Sequence, residues 1–163
     1  MNKAVKEHRR LICENRKAHH NYEFIQTFEA GLCLVGSEVK SLRDSRANLS
    51  DAYAQTEGDE VFLFNMQIEE YAPASYQNHA PRRPRKLLLH RDEIDRIAYK
   101  LREKGLALIP LSVYFKEGRA KVELGLGRGK REYEKDETRR ERDISREIAR
   151  SVRSTEVKKR YSE

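Results

Sequence analysis

Histidine, cysteine, serine and carboxylate side chains are the groups in this chain that could perform covalent or metal chemistry, and their spacing argues against it. His19, His20, His79 and His90 are scattered, with no i, i+4 pair on a helix and no neighbouring carboxylate motif of the kind that holds zinc. Glu69 and Glu70 are adjacent, so on a strand they point to opposite faces and cannot share acid/base work. Ser37 follows a glycine but lacks the Gly-x-Ser-x-Gly elbow of a hydrolase nucleophile. Gly125-Leu126-Gly127-Arg128-Gly129 resembles a phosphate loop without the following Lys-Ser/Thr pair, and a hinge explains its glycines more simply. Cys13 and Cys33 show no metal spacing and are expected to be reduced thiols. The chain is therefore expected not to be an enzyme, and to need no metal, cofactor or small-molecule ligand.

The chemistry that remains is charge. Lys and Arg number 34 against 27 Asp and Glu, a net +7 over 163 residues, which favours a polyanionic partner. Arg82-Arg83-Pro84-Arg85-Lys86 places four cations beside a proline-stiffened loop and suits bidentate contact with backbone phosphates; a nuclear-localisation patch has the same composition. From Arg128 to Glu163 there are 13 Lys and Arg and 9 Asp and Glu with few apolar residues, too few for a core. On a helix, Arg139, Arg142, Arg146, Arg150 and Arg153 form one stripe and Ile144, Ile148 and Val152 lie opposite. Asp136 can pair with Arg140 and Glu147 with Arg150. This is either a solvated charged helix or a segment that folds when its arginines meet phosphates. As a helix, Glu132 to Arg160 would reach roughly 40 Å at ~1.5 Å per residue. Its apolar face is too narrow, and lacks the Trp or Phe, for a membrane-surface helix.

These groups need a scaffold. A basic leader, 1–20, carries little apolar periodicity and reads as an arm over the fold. Tyr22–Ala30 and Leu32–Val35 read as two strands joined near Gly31. Gly36-Ser37 opens a short helix with Val39 and Leu42 on one face. Ala52–Gln55 and Val61–Phe64 flank Glu57-Gly58-Asp59 as a hairpin. Ala72–Pro84 holds three of the four prolines and reads as a long surface loop. Arg85–Leu89 is a strand, and Ile94, Ile97, Ala98 and Leu101 mark one buried helix face. Leu106–Phe115 and Arg119–Leu126 close the set around Glu117-Gly118. About six short antiparallel strands and two or three helices point to a mainly β (α+β) fold. That fold is a small six-stranded oligonucleotide-binding-like barrel at 21–127 with a charged tail at 128–163, disordered when free. Tyr22, Tyr53, Phe62, Phe64, Tyr114 and Phe115 are candidates either for the core or for stacking on bases. No run approaches the ~20 apolar residues that span a bilayer, and no signal-peptide core opens the chain, so a cytoplasmic protein is expected and Asn48-Leu49-Ser50 is a chance glycosylation match.

Several motifs resemble one family. Asn15-Arg16-Lys17-Ala18, His20, Tyr22, Phe28-Glu29-Ala30-Gly31, Gly36–Arg43, Ala47-Asn48, Arg85–Leu89 and Gly129-Lys130 stand in the order and spacing of the SmpB family, the SsrA-binding proteins. The resemblance implies a barrel that binds the tRNA-like domain of tmRNA (SsrA RNA) and delivers it to stalled ribosomes, acting as a monomer. It carries tmRNA contact to Asn15, Glu29 and Leu88, with Arg16, Lys17, His20, Lys40, Arg43, Arg85 and Lys86 in the same motifs. It also implies a tail that enters the small-subunit decoding site and the empty mRNA channel, becoming helical there. Gly129, Lys130, Arg131, Tyr133, Lys135, Arg139, Arg140, Arg142, Arg146 and Arg150 would then face ribosomal RNA. Asp136 stands where the family usually has Arg, and Arg139 and Arg140, one turn later, can compensate. The other readings are a translation or ribosome-assembly factor on the same barrel, and a scaffold whose tail docks a protein as an amphipathic helix.

Overall fold

A computed structural model describes residues 9–160. Its elements are β1 (Arg9–Glu14), α1 (Ala18–Asn21), β2 (Tyr22–Leu32), α2 (Gly36–Arg43), β3 (Ala47–Asn48), β4 (Tyr53–Glu57), β5 (Glu60–Phe64), β6 (Gln67–Ile68), a 3-10 helix (Ala72–Gln77), β7 (Arg85–Leu88), α3 (Arg91–Leu101), β8 (Leu106–Lys116), β9 (Arg119–Gly129) and α4 (Glu132–Arg160). Six strands close on themselves in the order β8-β4-β5-β7-β2-β9, because β9 pairs with β8 as well as with β2. All these pairings are antiparallel. Closure leaves no bare edge within the ring. The barrel is the expected one.

Its interior follows from strand alternation. Val61 and Leu63, Leu108 and Val113, and Val122, Leu124 and Leu126 point inward and are essentially fully buried, joined by Leu42 from α2 and Ile97 from α3. Each such side chain withdrawn from water contributes about 1.5–3 kcal/mol, which offsets the ordering of the short strands that carry them. Two hairpins have the expected tight turns. Gly58 takes a φ of 59° between the paired Glu57 and Glu60, and Glu117-Gly118 take 52° and 75° between Lys116 and Arg119, the left-handed pair that suits a two-residue loop.

The leader is not a loose arm throughout. Residues 1–8 lie outside the described residues, but Arg9–Glu14 form β1, paired along the second half of β8, while β4 meets the first half. Periodicity did not reveal β1 because it buries one side chain, Ile12, and is held by its ladder. The β8 register slips between Pro110 and Ser112, which accommodates a proline that has no N–H to donate.

Gly31 makes no turn. It lies inside the continuous strand β2, opposite Leu88, where a Cβ would come 3.2 Å from that of Leu88. The tail glycines make no hinge either. Gly125, Gly127 and Gly129 belong to β9, and Cβ atoms at the first two would strike the Phe24 ring at 2.5 Å and the Glu23 carbonyl oxygen at 2.3 Å. They permit a ring and a backbone to lie flat on the strand. The proline-rich loop is more ordered than expected, with a 3-10 helix at Ala72–Gln77.

The chain divides into two compact units, Met1–Gly129 and Lys130–Glu163. In the second, α4 is one continuous helix of 29 residues. Thr138 Oγ1 donates to the Glu134 carbonyl at 2.8 Å, and Arg146 pairs with Asp143 at 3.8 Å. The ion pairs expected at Asp136–Arg140 and Glu147–Arg150 are not made among the described residues.

Candidate RNA interface

Glu29, Lys86 and Leu88 come together on one outer face of the barrel. Strand register makes the row: Leu88 on β7 faces Gly31 on β2, Gly31 faces Lys121 on β9, and Lys121 faces Tyr114 on β8. Glu29, two residues before Gly31, projects from the same face of β2. Leu88 is 52% exposed, an aliphatic side chain standing out from a charged surroundings. A groove of about 630 Å³ beside it is lined by Glu29, Asp59, Glu60, Lys86, Glu93 and Lys121. A second groove, of about 320 Å³, runs along the other side of Leu88 past Val39, Phe115, Arg119 and Lys121.

Glu29 is held in place. The Tyr114 hydroxyl donates to its Oε2, and Lys116 and Arg9 stand 3.5 and 3.7 Å from its oxygens. The Tyr114 hydrogen bond first, then the Lys116 and Arg9 charges, outweigh partial burial and keep the carboxyl below the usual Glu range. Tyr114 is itself buried, and the Arg9 guanidinium lies 5.1 Å over its ring. A carboxylate repels phosphate, so on an RNA-facing surface its use is to accept N–H groups of a base edge or a ribose hydroxyl. Leu88 can pack on the ribose or base plane beside it.

The basic cluster Arg82–Lys86 does not present all four cations to solvent. Arg85 is fully buried: its Nε donates to Glu38 Oε1 at 2.8 Å, and its terminal nitrogens donate to the carbonyls of Met66, Arg83 and Pro81. Arg83 binds the same carboxylate through Nη2 at 2.6 Å, and Lys86 pairs with Glu60. Arg82 donates to Gln67 at 3.3 Å and remains exposed. Arg85 as an RNA contact is thus corrected to a core ion pair, because Glu38 on α2 is buried opposite it. Burial alone would raise the Glu38 pKa, but the bonds from Arg83 and the Val35 N–H and the two guanidinium charges leave it lowered.

Asn15 is likewise buried, its amide donating to the carbonyls of Leu49 and Pro110, both at 3.3 Å. It pins the turn between β1 and α1 to the bulge of β8, and so places Arg16 and Lys17, which are exposed, and His20, which is half-buried. These lie near Tyr22, at the opposite end of β2 from Glu29, roughly 20 Å away at ~3.3 Å per residue. The structure therefore brings Glu29, Lys86 and Leu88 together, and leaves Asn15, Arg16, Lys17 and His20 as a separate group. Lys40 and Arg43 are exposed on α2, and the Arg43 carbonyl accepts from Arg10 at 2.7 Å. In the second unit Arg131, Tyr133, Arg139, Arg140, Arg142, Arg146 and Arg150 are exposed, and Lys130 and Lys135 are half-buried; Gly129 ends β9.

Sequence offered Tyr114 only as a core or base-stacking candidate and did not mark Lys121, since only the β8–β9–β2 register sets the two beside Glu29. Of the six aromatic candidates, Tyr114 is buried, Tyr22, Phe62, Phe64 and Phe115 are half-buried, and Tyr53, 41% exposed, stacks on Phe64 at 5.4 Å. Among the described residues no group of three or more His, Cys, Asp or Glu side chains is placed to hold a metal, and no helix is long and apolar enough to cross a membrane.

A closed barrel with cations and outstanding aliphatic and aromatic side chains on its outer strands defines a nucleic-acid-binding barrel protein. Residues 12–154 match the family described as SmpB protein. The SsrA-binding protein of Streptomyces coelicolor is 48% identical over 157 residues, covering 96% of this chain and 99% of that one. That of Acidothermus cellulolyticus is 56% identical over 144 residues, covering 88% and 91%. A solved structure described as "tmRNA-SmpB: a journey to the center of the bacterial ribosome" superposes with a TM-score of 0.63 at 50% identity, covering 74% of this chain and 85% of that one. This chain belongs to the SmpB protein family.

Proposed function

We propose that the protein binds the tRNA-like domain of tmRNA and delivers it to stalled ribosomes for trans-translation. The observation that carries this reading is the convergence of Glu29, Lys86 and Leu88 on one barrel face in a chain about half identical to SsrA-binding proteins. The barrel supplies an aliphatic side chain, a fixed acceptor and flanking cations to an RNA surface. Peptide transfer belongs to the ribosome, so the protein contributes positioning and charge, working in the cytoplasm where ribosomes translate.

The tail has a separate task in this proposal. Its exposed arginines at three- and four-residue spacing suit phosphates along a groove, and α4 is long enough to extend through the decoding site into an empty mRNA channel. Ile144, Ile148 and Val152 stand 57%, 58% and 52% exposed, so the helix has little apolar burial to hold it in isolation and would be ordered by ribosomal RNA. Tyr133, 62% exposed, would stack on a decoding-site base.

The test is to capture the protein from an extract of its own cells and sequence the RNA that accompanies it. Strong enrichment of tmRNA over bulk tRNA is expected. Equal recovery of the two would favour a general translation or assembly factor on the same barrel.

A further inference from the structure

We propose that the loop Tyr71–His79 and the start of α2 form a second RNA site on the barrel unit, in which Tyr76 stacks on an unpaired base of tmRNA's tRNA-like domain and Lys40 neutralises an adjacent phosphate. This rests on the reading that the Leu88 face carries that RNA. Tyr76 is 91% exposed, more than any other large apolar or aromatic side chain among the described residues. The loop around it is fixed. Asn78 accepts the Tyr71 N–H at 2.8 Å and donates to the Tyr71 carbonyl at 3.0 Å, closing the segment on itself. His79, buried, is bonded to Ser37 Oγ at 2.9 Å and to the Ile68 carbonyl at 3.0 Å, which ties the loop to α2 and β6. Pro73 starts the 3-10 turn with its φ already set. A ring on a floppy loop would lose conformational entropy on stacking; a ring on a pinned loop has lost most of it beforehand.

The surroundings match a nucleotide. Between loop and helix lies a groove of about 780 Å³, lined by Ser37, Lys40, Gln77, Asn78, His79 and Arg83 among others, and by no carboxylate. The groove at Glu29 has four: Glu29, Asp59, Glu60 and Glu93. Arg83 is engaged by Glu38, but Lys40 Nζ lies 5.4 Å over the Tyr71 ring, a contact that leaves its charge uncompensated. An exposed aromatic ring, a cation without a carboxylate and the Gln77 amide are what recognises a splayed-out nucleotide: stacking plus a phosphate contact plus a base-edge hydrogen bond. The apolar part of the lining is small, Val35, Pro73 and Ala74, while its ionised groups are all cationic, which suits a polyanion better than a protein surface. The two sites are also neighbours across α2: Val39 lines the groove at Leu88, and Lys40 the groove lined by Gln77, the residue after Tyr76. An RNA seated on Leu88 needs to extend by about one helix diameter, roughly 10 Å, to reach the loop.

The chain contains no Trp, so Tyr76→Trp creates a single fluorescent reporter at a position where nothing need repack. On titration of the full-length variant with tmRNA, at concentrations where a gel shift shows saturation, the tryptophan emission should fall by at least about half as the indole stacks. Tyr76→Ala should weaken tmRNA binding about 5- to 100-fold and Tyr76→Phe no more than about two-fold, because stacking needs the ring and not the hydroxyl. Lys40→Ala should lower the slope of log affinity against log salt by about one phosphate's worth. Unchanged emission of the bound Tyr76→Trp protein would overturn the proposal, as would quenching by ribosomes and not by tmRNA. Failure of the unmodified protein to shift tmRNA at all would instead defeat the underlying reading of the Leu88 face.

Discussion

At the scale of single residues, two carboxylates of the same type do different work because their partners differ. Glu29 is one-third exposed and receives a hydrogen bond from Tyr114 with Lys116 and Arg9 beside it, so a fixed carboxylate reaches the surface, where an incoming donor can meet it. Substituting Glu29→Ala or Leu88→Asp should weaken tmRNA binding by about 10- to 100-fold in a gel shift, the loss expected of one charged hydrogen bond or one buried aliphatic contact. Tyr114→Phe removes only the hydroxyl that orients Glu29, and a smaller loss, about 3- to 10-fold, should follow from a wandering acceptor. A Tyr114→Phe protein that binds as tightly as the unmodified one would leave Glu29 without need of that orientation. Glu38, by contrast, is sealed between Arg83 and Arg85 with no exposure. Glu38→Gln leaves the Arg85 charge buried and uncompensated, and should cost about 3–5 kcal/mol in urea unfolding at neutral pH. The sign with pH is fixed by the direction of the shift. Because the folded carboxyl is lowered, the stability it lends is fully present above the unfolded Glu value of ~4.3 and disappears as pH falls through the lower folded value. The Glu38→Gln protein should therefore show a flatter acid limb than the unmodified protein.

At the scale of elements, the glycines of β9 give the clearest test of how closely strands are layered. A Cβ at Gly127 meets the Glu23 backbone carbonyl, which cannot rotate away, whereas one at Gly125 meets the edge of the Phe24 ring, which can. Gly127→Ala should accordingly destabilise the barrel by about 3 kcal/mol and Gly125→Ala by about 1 kcal/mol, read as the drop in thermal midpoint. The sequence showed these residues only as a glycine cluster after a strand, which composition alone cannot separate from a hinge. The same limit explains the other departures. Elements with their own signal were legible: the hairpins at Gly58 and Glu117-Gly118, and α3 from the spacing of Ile94, Ile97, Ala98 and Leu101. What depended on a distant partner was not. β1 exists because β8 is there to pair with, Gly31 is needed because Leu88 lies across from it, and Arg85 looked like a surface cation because Glu38 is 47 residues away. For the candidate site, the motifs singled out Glu29 and Leu88, while the position of Tyr114 and Lys121 beside them required the strand register.

At the scale of the whole molecule, the boundary at Gly129 separates two units of different make-up, to which the proposal gives different RNA partners. The barrel unit has a buried core; the tail unit has a helix whose Ile144, Ile148 and Val152 are more than half exposed. If each performs its own part, the parts can be taken from one another. A protein ending at Arg131, lacking Glu132 onward, retains the core, Glu29, Leu88 and the loop at Tyr76, so its tmRNA affinity should stay within about three-fold of the full chain. Tagging of peptides on ribosomes stalled without a stop codon should be abolished, because the segment that would report an empty channel is gone. The salt dependence sharpens the distinction. Phosphate contacts weaken steeply as salt rises, roughly in proportion to the number of phosphates neutralised, whereas apolar docking does not. Full-length protein binding to ribosomes should therefore be strongly salt-sensitive, and the truncated protein should lose that component while its tmRNA binding keeps its own slope. Normal tagging by the truncated chain would show that the barrel alone carries both tasks and that the arginine stripe of α4 is a solvated helix face.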